Sequence, residues 1–262
     1  MPRLRNSAFA AVLLAMLLAG CNGAPADPAP QESAAPAAQT QRLGLMTSLP
    51  LYWPLGAGVD DIASGRADLP WQRTALEQVY TIEPLDTLSP IPALSPDAPD
   101  VDPLAGLERL AVIQPRGLSP ADNVALDDWV RAGGRLLLVL DPMLTGEYDL
   151  PLGDPRRPVG SALIPPVLAR WGLEVRFDET QDSKPVDSVL MGTYLPLILR
   201  GEVVITDPAA ANCTAEAGGV GARCRLGRGE VFVIADATIF ESRSFAGEDF
   251  VHLHNLLAAT VR

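Results

Sequence analysis

The sequence predicts an α/β protein whose sheet is mostly parallel and is covered by helices on both faces. Apolar runs typical of buried strands alternate with segments of helical periodicity through residues 104–262, which is the order expected of βαβ units. The run at residues 136–140 (LLLVL) is apolar throughout, as is usual for a strand buried on both faces of a parallel sheet. The roughly 220 residues from position 42 onward are enough for one domain with a large core.

The first part of this domain has two predicted strands and a long proline-rich segment. Strands are predicted at residues 43–49 and 80–85, and a helix is predicted between them at residues 70–79. Six prolines, from Pro84 to Pro103, exclude a central strand or a helix interior in that stretch. We expect a long loop there, which is either functional or a simple surface crossover.

The second part of the domain has sharper boundaries. A strand is predicted at residues 110–113, and Ser119 followed by Pro120 is the pattern of a helix start. Gly133 and Gly134 end this helix before the next strand. The remaining predicted elements are a helix at residues 161–171, strands at residues 173–177, 203–206 and 230–235, and a C-terminal helix at residues 248–261.

The N-terminus has the pattern of an exported precursor. Arg3 and Arg5 precede an apolar run at residues 8–19, which is too short to span a membrane but is typical of a signal peptide. Residues 18–21 (LAGC) resemble the lipobox of bacterial lipoproteins, so cleavage before Cys21 and lipidation of its thiol are expected; the alternative is a secretory signal with a chance cysteine. We therefore predict three regions: a signal peptide at residues 1–20, a lipidated Ala/Pro-rich tether at residues 21–41, and a single α/β domain at residues 42–262.

The net charge of the chain limits the classes of partner that we expect it to bind. It carries 20 basic and 32 acidic residues, for a net charge of -12, and it has no basic stripe. Nucleic acid is therefore not expected as a partner. The acidity also disfavours direct binding to anionic lipid headgroups, so attachment to the membrane is expected through the lipid on Cys21.

The two remaining cysteines form a candidate pair. Cys213 and Cys224 lie in a Gly-rich segment between two strand-like runs. In an oxidising compartment this pattern predicts a disulfide across a loop. A metal or redox pair is the alternative, although the CxxC spacing that would favour it is absent.

Three segments carry a resemblance to a known family: residues 126–142 (LDDWVRAGGRLLLVLDP), residues 168–175 (LARWGLEV) and residues 227–236 (GRGEVFVIAD). They resemble the class I glutamine-amidotransferase-like superfamily, and most closely the extracytoplasmic auxiliary domain of gliding-motility-type ABC transport systems. The resemblance covers roughly residues 104–262. It implies a flavodoxin-like or amidotransferase-like sheet, with the permease or ATPase complex of an ABC-type envelope system as partner.

The resemblance also bears on location. It implies a position in the cell envelope with the domain facing the periplasm. An ABC partner favours the inner membrane, whereas Asn22, in place of the aspartate that retains lipoproteins there in enteric bacteria, favours the outer membrane. The choice between the two membranes stays open.

The motifs of the common enzyme classes are missing from the sequence. There is neither a Gly-x-Cys-x-Gly nor a Gly-x-Ser-x-Gly nucleophile elbow, and neither a Walker A loop nor a GxGxxG motif. His252 and His254 fall two positions apart on the predicted C-terminal helix, where their side chains diverge and do not readily share one ion. No catalytic residue, metal site or cofactor is therefore predicted.

Acidic residues nevertheless follow two predicted parallel strands. Asp141 and Asp236 come directly after the strands, at the sheet edge where open α/β sheets bind ligands. With Glu241, Arg243 and Asn255 they are candidates for lining a ligand crevice. In the alternative interpretation, Asp141 and Asp236 only cap backbone N–H groups of the loops.

These observations favour a lipid-anchored, periplasm-facing binding or adaptor domain without catalytic activity, accessory to an ABC-type envelope transport system. The alternative is a divergent hydrolase that would use the carboxylates at the carboxyl ends of the strands.

Overall fold

The computed structural model describes residues 41–95 and 97–262. The predicted signal peptide, Cys21 and nearly all of the predicted tether lie outside the described residues. The elements of the first half are β1 (Gln41–Thr47), α1 (Val59–Ala63), α2 (Trp71–Glu77), β2 (Tyr80–Pro84), β3 (Arg109–Ile113), α3 (Pro120–Arg131), β4 (Arg135–Val139) and α4 (Val167–Arg170). Those of the second half are β5 (Leu173–Phe177), β6 (Val186–Leu190), β7 (Thr193–Leu197), β8 (Gly201–Ile205), β9 (Asn212–Glu216), β10 (Gly221–Leu226), β11 (Gly229–Ile234), α5 (Thr238–Glu241) and α6 (Val251–Val261).

A mostly parallel sheet of seven strands forms the centre, in the order β2-β1-β3-β4-β11-β10-β9. The first five strands of this order pair in parallel, and β10 and β9 extend the edge in antiparallel pairing. The predicted α/β class with a mostly parallel sheet is confirmed. Two antiparallel pairs, β5-β8 and β6-β7, stand apart from this sheet.

Helices pack on both faces of the sheet because each central strand is apolar on both sides. On one face, alternate strand residues such as Leu43, Ile113 and Leu137 pack against α2, α5 and α6. On the other face, the intervening residues, such as Leu110 and Leu136, pack against α3 and α4. Burial on two sides explains why the central strands read as continuous apolar runs.

Helix α3 begins as its sequence predicts. The Ser119 hydroxyl accepts a hydrogen bond from Asp122 N, and the Asp122 carboxylate accepts one from Ser119 N, which completes a capping box. The other oxygen of Asp122 accepts from Thr87 Oγ1, Leu88 N and Ser89 N, and so fastens the start of the proline-rich loop to the helix. Burial opposes ionisation of Asp122, but these hydrogen bonds outweigh it and lower its pKa.

Three predicted elements are placed differently in the structure. The helix predicted at residues 161–171 is wrong in extent: only Val167–Arg170 is helical, because Pro165 and Pro166 precede that turn and proline is tolerated only at a helix start. The strands predicted at residues 173–177 and 203–206 exist as β5 and β8, but they pair with each other and do not join the central sheet.

The disulfide between Cys213 and Cys224 is present, but it does not bridge a loop. The segments around the two cysteines are the strands β9 and β10, and the cysteines face each other in the antiparallel register. The Cα atoms are 4.0 Å apart, as befits a directly opposed pair. Within the described residues, no helix is long and apolar enough to cross a membrane.

Candidate functional site

The two strand-end aspartates lie on neighbouring strands and are buried. Asp141 follows β4 and Asp236 follows β11, and the exposed fractions of the two residues are 0% and 3%. Asp141 accepts from Met143 N through Oδ1 and from Ala237 N through Oδ2, both at 2.8 Å. Asp236 accepts from Thr238 N at 2.8 Å and from Ile198 N at 3.0 Å, again with one oxygen each. Each of the four carboxyl oxygens therefore accepts a hydrogen bond from a backbone N–H group of the surrounding loops.

Burial controls the ionisation of this pair. It raises the pKa of Asp141 to about 7, with a smaller contribution from the charge of Glu241, against the two amide hydrogen bonds. It raises the pKa of Asp236 to about 8, and the neighbouring charge of Asp141 acts in the same direction. The pair therefore retains protons at neutral pH, and two negative charges are not held together in the core.

The other members of the predicted crevice do not complete it. Glu241 accepts from Thr145 N, Thr145 Oγ1, Gly146 N and Tyr148 Oη. The Arg243 guanidinium lies 5.2 Å from the centroid of the Phe250 ring, and Asn255 is exposed on α6.

A cavity of about 480 Å³ does lie beside Glu241, but Asp141, Asp236, Arg243 and Asn255 are not among its lining residues. The structure thus brings Asp141, Asp236 and Glu241 near one another without opening a crevice onto the aspartates. Asp141 and Asp236 accept hydrogen bonds from buried loop amides, as the capping interpretation expects, and the ligand crevice stays a prediction.

The histidines are separate on α6. His254 Nε2 lies 2.8 Å from the Ala75 carbonyl oxygen, whereas the His252 ring lies 5.1 Å from the Tyr194 ring. In the part of the chain that the structure describes, no group of three or more His, Cys, Asp or Glu residues is placed to hold a metal ion.

An open pocket lies elsewhere, at the carboxyl ends of β1, β2 and β3. It has a volume of about 390 Å³, which is within the range of small-molecule sites. Strand β2 pairs with one edge of β1 and β3 pairs with the other edge, so the order of strands in the sheet changes direction at β1. Such a switch point leaves a crevice outside the strand ends, where α/β proteins bind ligands.

The pocket combines an apolar lining with a few polar groups. The apolar and aromatic part includes Leu45, Leu49, Tyr52, Trp53, Leu55 and Leu85, and the polar side chains are Thr47, Ser48, Asp86, Arg116 and Arg156. Five of these residues come from the loop after β1, and the arginines come from the loops after β3 and β4.

Two buried polar residues hold the base of the pocket in place. Ser48 Oγ donates to the Gln114 carbonyl oxygen at 2.6 Å and accepts from Val159 N at 3.2 Å. The Gln114 side chain bonds the Asp141 backbone N–H and carbonyl oxygen and the Val159 carbonyl oxygen. Gln114 has a φ of 45°, a conformation uncommon for a residue other than glycine. The ends of β1, β3 and β4 are therefore tied together beneath the opening.

Sequence reasoning missed this pocket. The available signal was the segment at residues 49–55 (LPLYWPL), in which aromatic and apolar residues alternate with prolines directly after the first strand. Apolar residues in such a loop are candidates for lining a cavity, as Tyr52, Trp53 and Leu55 do here. Arg116 and Arg156 had no signal, because only the fold brings their loops to the same opening.

Comparison with solved structures finds distant likenesses. An exo-β-1,4-mannosidase from Opitutaceae bacterium strain TAV5 is 12% identical, with a TM-score of 0.47, over 84% of this chain and 36% of that one. A β-galactosidase from Rahnella sp. R3 is 12% identical, with a TM-score of 0.43, over 85% of this chain and 32% of that one. The chain thus spans about a third of the length of these enzymes. A search of curated proteins found no match.

A family model gives the assignment. Residues 41–193 match the model described as an ABC-type uncharacterized transport system, auxiliary component. The match begins at β1 and extends through β6, so it includes four strands of the central sheet, the capped helix α3 and the loops around the pocket. It covers more than half of the chain. The chain therefore belongs to the auxiliary family of ABC-type transport systems.

Proposed function

We propose that this protein is a non-catalytic accessory domain, anchored by lipid on Cys21, that works on the periplasmic side of an ABC-type envelope transport system. Its partner is the permease or ATPase complex of that system. The family assignment supports the accessory role. One observation carries the non-catalytic part: each carboxyl oxygen of Asp141 and Asp236 accepts a backbone N–H.

The two enclosed aspartates matter because acid–base catalysis needs a group that can reach its substrate. Asp141 and Asp236 are buried, and both oxygens of each carboxyl group hold loop amides, so neither group is exposed to a ligand. The hydrolase alternative relied on these two acids, because the sequence has no nucleophile elbow. Their structural use therefore favours binding over turnover.

Other features support the export and the finer fold assignment. A disulfide between adjacent strands is typical of an oxidising compartment such as the periplasm. The parallel strands follow the order β2-β1-β3-β4-β11, which is the doubly wound 2-1-3-4-5 order with the last strand drawn from later in the chain. This order supports a flavodoxin-like fold and is compatible with the amidotransferase-like superfamily.

Co-purification of the full-length lipidated protein tests this function. A C-terminally tagged protein is solubilised from membranes in a mild detergent, and the bound proteins are identified by mass spectrometry. We expect permease and ATPase subunits in amounts comparable to the tagged protein. The Cys21→Ser variant is the control for the anchor: it is expected to take up no acyl label and to lose the complex. Isolation of the lipidated wild-type protein without transport subunits contradicts the accessory role.

A further inference from the structure

We propose that the pocket at the carboxyl ends of β1, β2 and β3 binds a small amphipathic anion, with an apolar body and one carboxylate- or phosphate-like group. This goes beyond the accessory role, which assigns no ligand to the domain. We call this opening the switch-point pocket; its main lining residues are Leu49, Tyr52, Trp53, Asp86 and Arg116.

The aromatic side of the pocket is built to receive an apolar body. The Tyr52 and Trp53 rings pack edge to face with centroids 4.8 Å apart, and the Arg73 guanidinium lies 4.0 Å from the Tyr52 centroid. This packing orders the loop after β1, yet Trp53 remains 49% exposed. A large ring that is held in place and half exposed at a pocket mouth offers apolar area at a small cost in conformational entropy.

The positive side of the pocket has a cation, Arg116, that forms no close ion pair among the described residues, although its charge reaches Asp154 and contributes to lowering the pKa of that carboxyl. Arg116 Nη1 donates to the Arg157 carbonyl oxygen at 3.0 Å, and no carboxylate of the described residues lies within 4 Å of its guanidinium. Arg156, on the same rim, is instead paired with Asp154. Arg116 therefore retains N–H donors for an anion, and a guanidinium matches carboxylate and phosphate geometry.

The negative side limits the ligand to one anionic group. Asp86 follows β2, whereas Arg116 follows β3, so β1 separates the two charges. The strands that they follow lie two strand spacings, about 10 Å, apart. A second negative group at the Asp86 rim is repelled, which disfavours extended polyanions. The arrangement suits a molecule with its anion at the Arg116 rim and its apolar body across Leu49 and Trp53.

A matched pair of fluorescent probes tests the proposal. The anion 8-anilinonaphthalene-1-sulfonate and its uncharged analogue N-phenyl-1-naphthylamine share the same aromatic body. They are titrated into the mature chain, residues 21–262, carrying Cys21→Ser to remove the lipid and leave the rest of the chain. We expect saturable one-to-one binding of the sulfonate, tighter than that of the neutral probe.

The variants assign the binding to this pocket. Arg116→Gln is expected to weaken the sulfonate on the order of tenfold, as for loss of a charge-assisted hydrogen bond, and to leave the neutral probe within about twofold. Asp86→Asn is expected to strengthen the sulfonate alone, and Trp53→Ala to weaken both probes. Arg225→Gln, an exposed arginine on β10, is the matched control and is expected to change neither. Each variant is checked by thermal melting.

A second apolar groove is the alternative binding site for the probes. It runs along α3 beside Val124 and Trp129, and Val124→Asp places a charge in it. Loss of sulfonate binding in Val124→Asp, with Arg116→Gln and Trp53→Ala unchanged, overturns the proposal. Equal affinity for the two probes, or the absence of saturable binding, overturns it as well.

Discussion

Asp141 and Asp236 show how a pair of acidic residues can serve structure at the position where many α/β proteins place function. Each lies at the carboxyl end of a parallel strand, and each is enclosed. Their hydrogen bonds join the loops that follow β4, β7 and β11. The consequence is a pH-dependent fold, because these groups bind protons more tightly in the folded chain than in the unfolded chain.

The first prediction concerns stability against pH. The folded pKa values of Asp141 and Asp236 are raised to about 7 and about 8, so between pH 5 and 8 these two groups bind more protons in the folded state than in the unfolded state. The free energy of unfolding therefore falls as pH rises through that window, by up to about 1.4 kcal/mol per pH unit for each extra proton. Urea unfolding from pH 5 to pH 8 measures the slope.

The variant Asp236→Asn removes one proton-binding group and the repulsion on Asp141. We expect a shallower slope over pH 5–8, together with lower stability at pH 5 because one backbone amide loses its acceptor. Asp68→Asn, which changes an exposed acid, is the control and should keep the wild-type slope. Identical slopes in wild type and Asp236→Asn would show that this pair does not retain protons.

At the scale of elements, the junction between α3 and the proline-rich loop depends on one side chain. Asp122 caps the helix with one oxygen and holds residues 87–89 with the other. The loop has little regular structure of its own: the bridge in its interior joins Ile91 and Val101. Asp122 therefore couples the loop to the helix.

The second prediction follows from that coupling. Asp122→Ala is expected to destabilise the fold by about 2–4 kcal/mol, because a helix cap and several buried amide partners are lost together. Hydrogen exchange should rise in residues 84–103 more than in β4 or β11. Asp128→Ala, at an exposed position of the same helix, is the matched control and is expected to stay within about 0.5 kcal/mol of wild type. Equal effects of the two substitutions contradict this role of Asp122.

The third prediction concerns the disulfide as a clamp on the sheet edge. β9 is the last strand of the sheet and pairs only with β10 in it. Replacing Cys213 and Cys224 by serine is expected to cost about 3 kcal/mol, the chain-entropy value for a loop of this size. Amide exchange should increase in β9 before β11, since only the edge strand loses its covalent link. Uniform exchange across the sheet, or free thiols in periplasmic material, would refute the prediction.

At the scale of the whole molecule, the carboxyl ends of the parallel strands fall into two groups, one buried and one open to solvent. The ends of β4 and β11 are closed by Asp141, Asp236 and their amide donors. The ends of β1, β2 and β3 remain open around Trp53 and Arg116. The buried Gln114 connects the two regions through the Asp141 backbone and Ser48. The same hydrogen-bond network thus reaches from the closed strand ends to the base of the open pocket.

The fourth prediction is that the mature protein has no hydrolytic turnover. We expect hydrolysis of glutamine, simple esters and amides at the rate of buffer alone, because no reachable base accompanies a nucleophile. Asp141→Asn is expected to lower the melting temperature without changing any rate. Turnover well above buffer that is lost in Asp141→Asn at an unchanged melting temperature would favour the hydrolase instead.

The sequence by itself determined the elements whose signals are local. The apolar runs around residues 110–113, 136–140 and 230–235 became β3, β4 and β11, because a strand buried on both faces must be apolar at every position. The Ser119 cap and the glycines after α3 marked its limits, since a helix end must satisfy its free backbone groups close by in the chain. Those elements were sufficient for the α/β class.

Tertiary structure decided everything that depends on which segments meet. The sequence patterns of β5 and β8 predict strands, but which strands pair depends on contacts between residues far apart in the chain. These two strands pair with each other outside the central sheet. Strands β6, β7, β9 and β10 were missed because their edge and antiparallel positions lack a continuous apolar run. The burial of Asp141 and Asp236 and the arrival of Arg116 beside Trp53 follow only from the assembled sheet. Solvent exposure and the proximity of charges are properties of the packed chain, and no local pattern encodes them.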